Sequence, residues 1–268
     1  MSPRQPNRYE VLITHIFAGK YQEGATVVKF TRGDLVETAA ALNIAMPKNL
    51  GDVLYSFRYR NPLPIEILMT QPENMEWVIE GAGRALYDFR LVPINRITPS
   101  SNLLTIKIPD ATPEIVSASS LSDEQALLAR VRYNRMIDIF LGITAYSLQN
   151  HLRTTVKGLG QVEIDEVYVG VDRFGCQYIV PVQAKGGGDQ LSTVQAKQDI
   201  ACCAEKFPGL ICRAISAQFM EDSKIALFEL CLDNDGLVKT VEERHYRLVT
   251  ADEIHASDLL AYRNRRHP

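Results

Sequence analysis

Apolar residues recur at helical intervals through the first 60 positions and then change to alternation. From Arg8 to Tyr21, Val11, Leu12, His15, Ile16 and Phe17 form one stripe that closes near Gly19, which predicts a helix. Thr31 is placed to cap a second helix, with Asp34 three residues on for the reciprocal bond and Leu35, Ala39 and Leu42 facing inward. Pro47 suits a first helical turn, so a third helix is expected over Lys48–Tyr59, ending before Pro62. Glu76–Ile79 and Ala85–Leu91 are β-rich runs separated by Gly81-Ala82-Gly83-Arg84, a hairpin signal.

Proline and serine then accumulate between residues 93 and 121, although Leu103–Ile108 within that stretch reads as a short strand. The chain is therefore expected to divide into a domain at 1–92, a structured connector at 93–121 and a second domain at 122–268. Ser122, with Gln125 three residues later, caps a long predicted helix. Its apolar side is Leu127, Leu128, Val131, Met136, Ile139, Phe140 and Ile143, and it reaches about His151 with a break at Gly142. Strands are predicted at Val162–Val171 and Gln177–Lys185, then a helix from about Asp189 to Lys206. Further strands follow at Leu210–Phe219, Ile225–Leu232 and Arg244–Leu248. Helix-β-β-helix-β-β describes an α/β domain with a mixed sheet.

Composition narrows the function classes. With 29 basic and 32 acidic side chains, the chain is no polybasic nucleic-acid coat. Charge is uneven, however: 12 basic and 11 acidic residues in 1–110, against 12 and 17 in 161–268. That asymmetry is compatible with a nucleic-acid reader joined to a carboxylate-bearing site. The five cysteines include no Cys-x-x-Cys pair, which points to reduced thiols and a cytoplasmic location. No apolar run of about 18 residues exists to span a bilayer, so no membrane partner is expected.

Strand alternation puts Glu163 and Asp165 on one face, and Gln183 and Lys185 on one face of the next strand. In a hairpin, residues 165 and 183 would lie nearly opposite. Two carboxylates, an amide oxygen and an ammonium would then converge at one edge of a sheet whose remaining positions are apolar. Oxygen ligands are those Mg²⁺ prefers, and an ion held beside a lysine suits phosphodiester hydrolysis. The sequence places no histidine beside this group. Gly186-Gly187-Gly188 gives the chain freedom to leave the strand sharply. A solvated hairpin with Asp165 and Lys185 as an ordinary ion pair is the alternative.

Asp165, seventeen intervening residues, then Gln183-Ala184-Lys185 at the end of an apolar strand resembles the PD-(D/E)XK nucleases. The resemblance covers roughly residues 122–232 and includes the flanking helices. It implies a restriction-endonuclease-like mixed β-sheet flanked by helices. It also implies a Mg²⁺ site made by Asp165, Gln183 and the backbone carbonyl of Ala184, with Lys185 assisting the nucleophile. Two positions depart from the pattern. Ile164 stands where the name-giving proline would be, and Gln183 replaces an acidic residue, so Glu163 is expected to compensate as a ligand. Gln195 and Gln198 on the following helix resemble polar residues that face this site.

Three helices followed by a hairpin resemble a winged helix-turn-helix, with Asn43–Met46 as the turn. Lys48, Asn49, Tyr55, Arg58 and Arg60 on or beside the third helix, and Arg84 at the hairpin tip, are then the expected DNA contacts. Together the two resemblances imply a Mg²⁺-dependent endonuclease acting on double-stranded DNA. A type II restriction enzyme is implied first: a homodimer with a companion DNA methyltransferase for the same site. The alternatives are a repair or mobile-element nuclease, and a non-catalytic DNA-binding regulator with a degenerate nuclease fold.

Overall fold

The structure, a computed structural model, describes residues 7–45, 50–59, 61–94, 96–119, 124–186, 191–234 and 236–264. Asn7 starts α1 (Arg8–Lys20): its side chain accepts from the backbone of Tyr9 and Glu10, and Glu10 accepts the Asn7 N–H at 2.8 Å. Leu12, Ile13, Ile16 and Phe17 are its buried stripe, whereas His15, expected on that stripe, is exposed. After β1 (Val27–Thr31), Thr31 and Asp34 form the anticipated reciprocal cap of α2 (Arg32–Ala41).

Next come α3 (Gly51–Tyr59), a single turn α4 (Ile65–Leu68), β2 (Met75–Gly83) and β3 (Leu86–Pro93). The strands form an antiparallel sheet in the order β1-β3-β2. Its β1, with Val28 and Phe30 buried between exposed Lys29 and Thr31, is a strand the pattern reading passed over. One core binds these elements, with Phe17, Trp77 and Phe89 packed edge-to-face around 5 Å apart.

The remaining elements are β4 (Arg96–Ile97), β5 (Thr105–Pro109), α5 (Glu114–Ser119), α6 (Glu124–Tyr133), α7 (Met136–Leu141), β6 (Thr144–Val156), β7 (Gly160–Val171), β8 (Gln177–Lys185), β9 (Leu191–Ser192), α8 (Thr193–Lys206), β10 (Ile211–Cys212), β11 (Ala214–Phe219), β12 (Lys224–Leu232), β13 (Val238–Val249) and α9 (Ala256–Asn264). An eight-stranded mixed sheet runs β5-β13-β12-β11-β8-β7-β6, with β10 also paired to β8. Its β8–β11 and β13–β5 pairs are parallel. The domain is α/β, its sheet covered by α6 and α7 on one face and α8 on the other. Leu127, Leu128, Val131, Met136 and Phe140 pack on Val180, Val182 and Ala184. Ala196 of α8 packs with Ala214, Ala226 and Phe228.

The chain forms two compact units: Met1–Ile94 with Thr155–Gln161, and Asn95–Thr154 with Val162–Pro268. Within the first, β2 and the β6–β7 tip come so close that a Cβ at Gly81 would lie 2.0 Å from the Leu159 carbonyl oxygen. The long helix expected to reach His151 is shorter and ends differently. Arg135 adopts a left-handed conformation (φ 49°) between α6 and α7, and Gly142 (φ 67°) ends α7. Ala145, Leu148 and Leu152 happen to fall at helical spacing, but Leu148 is exposed and the segment is the outermost strand of the sheet. Pairing along β7 prevails there over the local pattern. No described helix is long and apolar enough to cross a membrane.

Candidate active site

Strands β7 and β8 pair in regular register from Val171↔Gln177 to Glu166↔Val182. Side chains take over beyond that point. The Ala184 N–H donates to Asp165 Oδ2 at 2.8 Å, and Gln183 Nε2 donates to the Glu163 carbonyl at 3.0 Å. The last residues of β8 are thus tied to the middle of β7 by side chains of Asp165 and Gln183. Lys185 Nζ lies 3.1 Å from Glu124 Oε1, at the start of α6, and its charge also acts on Asp165. Asp165, Gln183, Ala184 and Lys185 are therefore gathered where the regular β7–β8 ladder stops.

Burial dominates the electrostatics. It pushes the Asp165 carboxyl up to about 6, and the Ala184 N–H and the Lys185 ammonium pull against it without cancelling it; Glu124 adds to the rise. Asp199, wholly buried on α8, is raised well above the usual carboxylate range by the same desolvation. Its Oδ1 accepts the second proton of the Gln183 amide, at 3.2 Å. The bonds to Glu163 and Asp199 engage the nitrogen of the Gln183 amide and leave its Oε1 outside them.

Other expected members stand apart or differ in role. Glu163 Oε1 accepts from Arg153 Nη2 at 2.9 Å across the β6–β7 pair. Gln195 is half-buried and Gln198 buried, both on α8. The expectation that no histidine neighbours the group is corrected by β6. That strand brings His151 Nδ1 to 3.9 Å from Glu163 Oε1, and the imidazole acts electrostatically on Asp165. His151 Nε2 lies 3.0 Å from Gln125 Nε2. Glu124 and Asp199 are site neighbours the sequence reading missed. For Asp199 a signal existed, since it sits on the buried stripe of α8 with Ala196 and Cys203.

The available donors are hard oxygens, which fit Mg²⁺. Among the described residues no group of three or more His, Cys, Asp and Glu side chains is placed to hold an ion. An ion here would therefore need the Gln183 amide oxygen and the Ala184 carbonyl beside the Asp165 carboxylate. No family model, curated protein or solved structure matches the chain. A functional reading consequently stands on the chemistry of these residues.

In the first unit, Tyr55 and Arg58 lie half-buried on α3. Arg84 is exposed in the two-residue turn between β2 and β3. Lys48, Asn49 and Arg60 lie outside the described residues, as do Gly187 and Gly188 of the glycine run.

Proposed function

We propose that this protein is a Mg²⁺-dependent endonuclease of PD-(D/E)XK type that hydrolyses phosphodiester bonds in duplex DNA. The observation that carries the reading is the bond from the Ala184 N–H to Asp165 Oδ2, which holds together the motif's two halves, separated by seventeen intervening residues in sequence. Support also comes from α6, which precedes the β7–β8 hairpin with α7 and β6 between, and from α8, which follows it.

Asp165, Gln183 Oε1 and the Ala184 carbonyl would hold the ion, with Glu124 nearby through its bond to Lys185. Bound there, Mg²⁺ supplies positive charge to the scissile phosphate and lowers the pKa of a bound water. The chain's own residues do the rest. Lys185, kept in place by Glu124, orients the attacking water and offsets charge growing on the phosphoryl oxygens. The buried setting of Asp165 disfavours its bare charge, so the carboxylate is poised to gain from a cation.

The first unit, in the order α1-β1-α2-α3-α4-β2-β3, reads DNA as a winged helix, with α3 toward base edges and Arg84 toward phosphate. The setting we favour is type II restriction by a homodimer, with a companion methyltransferase protecting the same site. Plasmid cleavage in Mg²⁺ and in EDTA tests the activity: wild type should cut only with Mg²⁺, and Asp165→Ala and Lys185→Ala should not cut. Tight DNA binding by wild type without cleavage would favour the second reading, a DNA-binding regulator. The neutral Gln183 and the engagement of Glu163 by Arg153 are the features that favour it.

A further inference from the structure

We infer that Asp199 is a positioning residue that makes Gln183 an oxygen ligand for the divalent ion. The inference rests on the metal-site reading above and explains how a glutamine serves where the family pattern has an acid. An amide presents either its oxygen or its nitrogen to a ligand, and only the oxygen binds a cation. The Glu163 carbonyl is an acceptor with no proton to give, so the group 3.0 Å from it must be the Gln183 nitrogen. Asp199 Oδ1 accepts the second amide proton at 3.2 Å. Both N–H bonds are thereby committed to the protein, and Oε1 is the atom left over.

The Gln183 side chain is only 2 % exposed, so the protein and not bulk water sets which way its amide faces. With its nitrogen engaged on both sides, the amide has its oxygen to offer to a cation beside Asp165. The Glu163 carbonyl alone fixes one amide proton and leaves the side chain a hinge about that bond. Asp199 removes the hinge. Its own placement argues against a role in stability: a wholly buried carboxyl paid for by one side-chain bond is a poor exchange for a leucine of similar volume.

The test is Mn²⁺ binding to the full-length protein at pH 7, by calorimetry and by the electron-spin signal of the bound ion, with thermal midpoints alongside. Asp199→Leu should lower Mn²⁺ affinity about tenfold or more, the loss expected when an outer partner of a ligand is removed, with its midpoint unchanged or raised. Asp199→Asn keeps an oxygen that can accept the same amide proton and should retain most of the affinity. Wild-type affinity in Asp199→Leu overturns the inference, as does an equal loss in Asp199→Asn. Failure of the underlying reading looks different: wild type would bind no Mn²⁺, or Asp165→Ala would bind it as wild type does.

Discussion

The Asp165 carboxylate accepts the backbone N–H of Ala184 at 2.8 Å just past the last regular pair of the β7–β8 ladder, where the two strands would otherwise bond backbone to backbone. A side chain that replaces a ladder acceptor is fixed in direction, and this one is also largely withdrawn from water. Its charge is therefore a cost to the metal-free fold, as the rise toward 6 indicates. Asp165→Asn keeps an oxygen for the Ala184 N–H and removes the charge. At pH 7 in EDTA its thermal midpoint should equal or exceed that of wild type, while Mn²⁺ binding and DNA cleavage are lost. A lower midpoint would mean that the carboxylate serves the fold rather than an ion.

Asp34 shows the opposite balance. Partial burial alone would raise its carboxyl, but hydrogen bonds from Lys20 and Thr31 outweigh that and hold it below the ordinary value of 3.8. A carboxyl depressed by folding contributes stability that is present above the unfolded value and disappears as pH falls through the folded one. Chemical denaturation between pH 6 and pH 2.5 should show wild type losing its advantage over Asp34→Asn below about pH 4. Thr31→Ala, which removes the reciprocal cap, should cost about 1 kcal/mol at neutral pH. A constant gap between wild type and Asp34→Asn across that range would dismiss the linkage.

The strands carrying Asp165 and Gln183-Ala184-Lys185 were legible because period-two alternation and the spacing between them are local properties of the chain. Sheet pairing then converts the spacing into contact. Glu124 and Asp199 were harder to see because they arrive from helices on opposite faces of the sheet, and no local pattern says which helical residue meets which strand. Asp199 left a trace all the same, a carboxyl on an otherwise apolar stripe with Ala196 and Cys203. His151 was hidden by a different error. Its strand carries apolar residues at helical spacing, and only the hydrogen-bonding demand of β7 makes that segment extended.

On the sheet face opposite Gln183, Glu166 is wholly buried, and its Oε1 accepts from Arg132 Nε at 2.8 Å and from Ser147 Oγ at 2.6 Å. Removing one member of a buried pair leaves an uncompensated charge, which costs about 3–5 kcal/mol. Arg132→Met should therefore destabilise the protein by that order. Adding Glu166→Leu to Arg132→Met should recover most of the loss, since the orphaned carboxylate is gone. Urea titrations of the two single variants and the double complete the cycle. Additive losses would show that the residues act independently.

Arg84 offers the cleanest test of the reading unit, because it is exposed in a tight turn and its removal disturbs no core. The neighbouring strand positions are already fixed by pairing, with Gly83 opposite Leu86 across the turn. If the turn is a wing lying against DNA, its guanidinium meets phosphate and displaces a condensed counterion. Such a contact carries no sequence information. Arg84→Ala should then weaken binding to cognate and random duplexes by a similar factor, and lower the slope of log affinity against log salt by about one. A loss confined to one sequence would assign Arg84 to a base edge instead. Unchanged affinity and slope would remove the turn from the proposed interface while leaving the Asp165 site untouched, because Arg84 and Asp165 lie in different units of the chain.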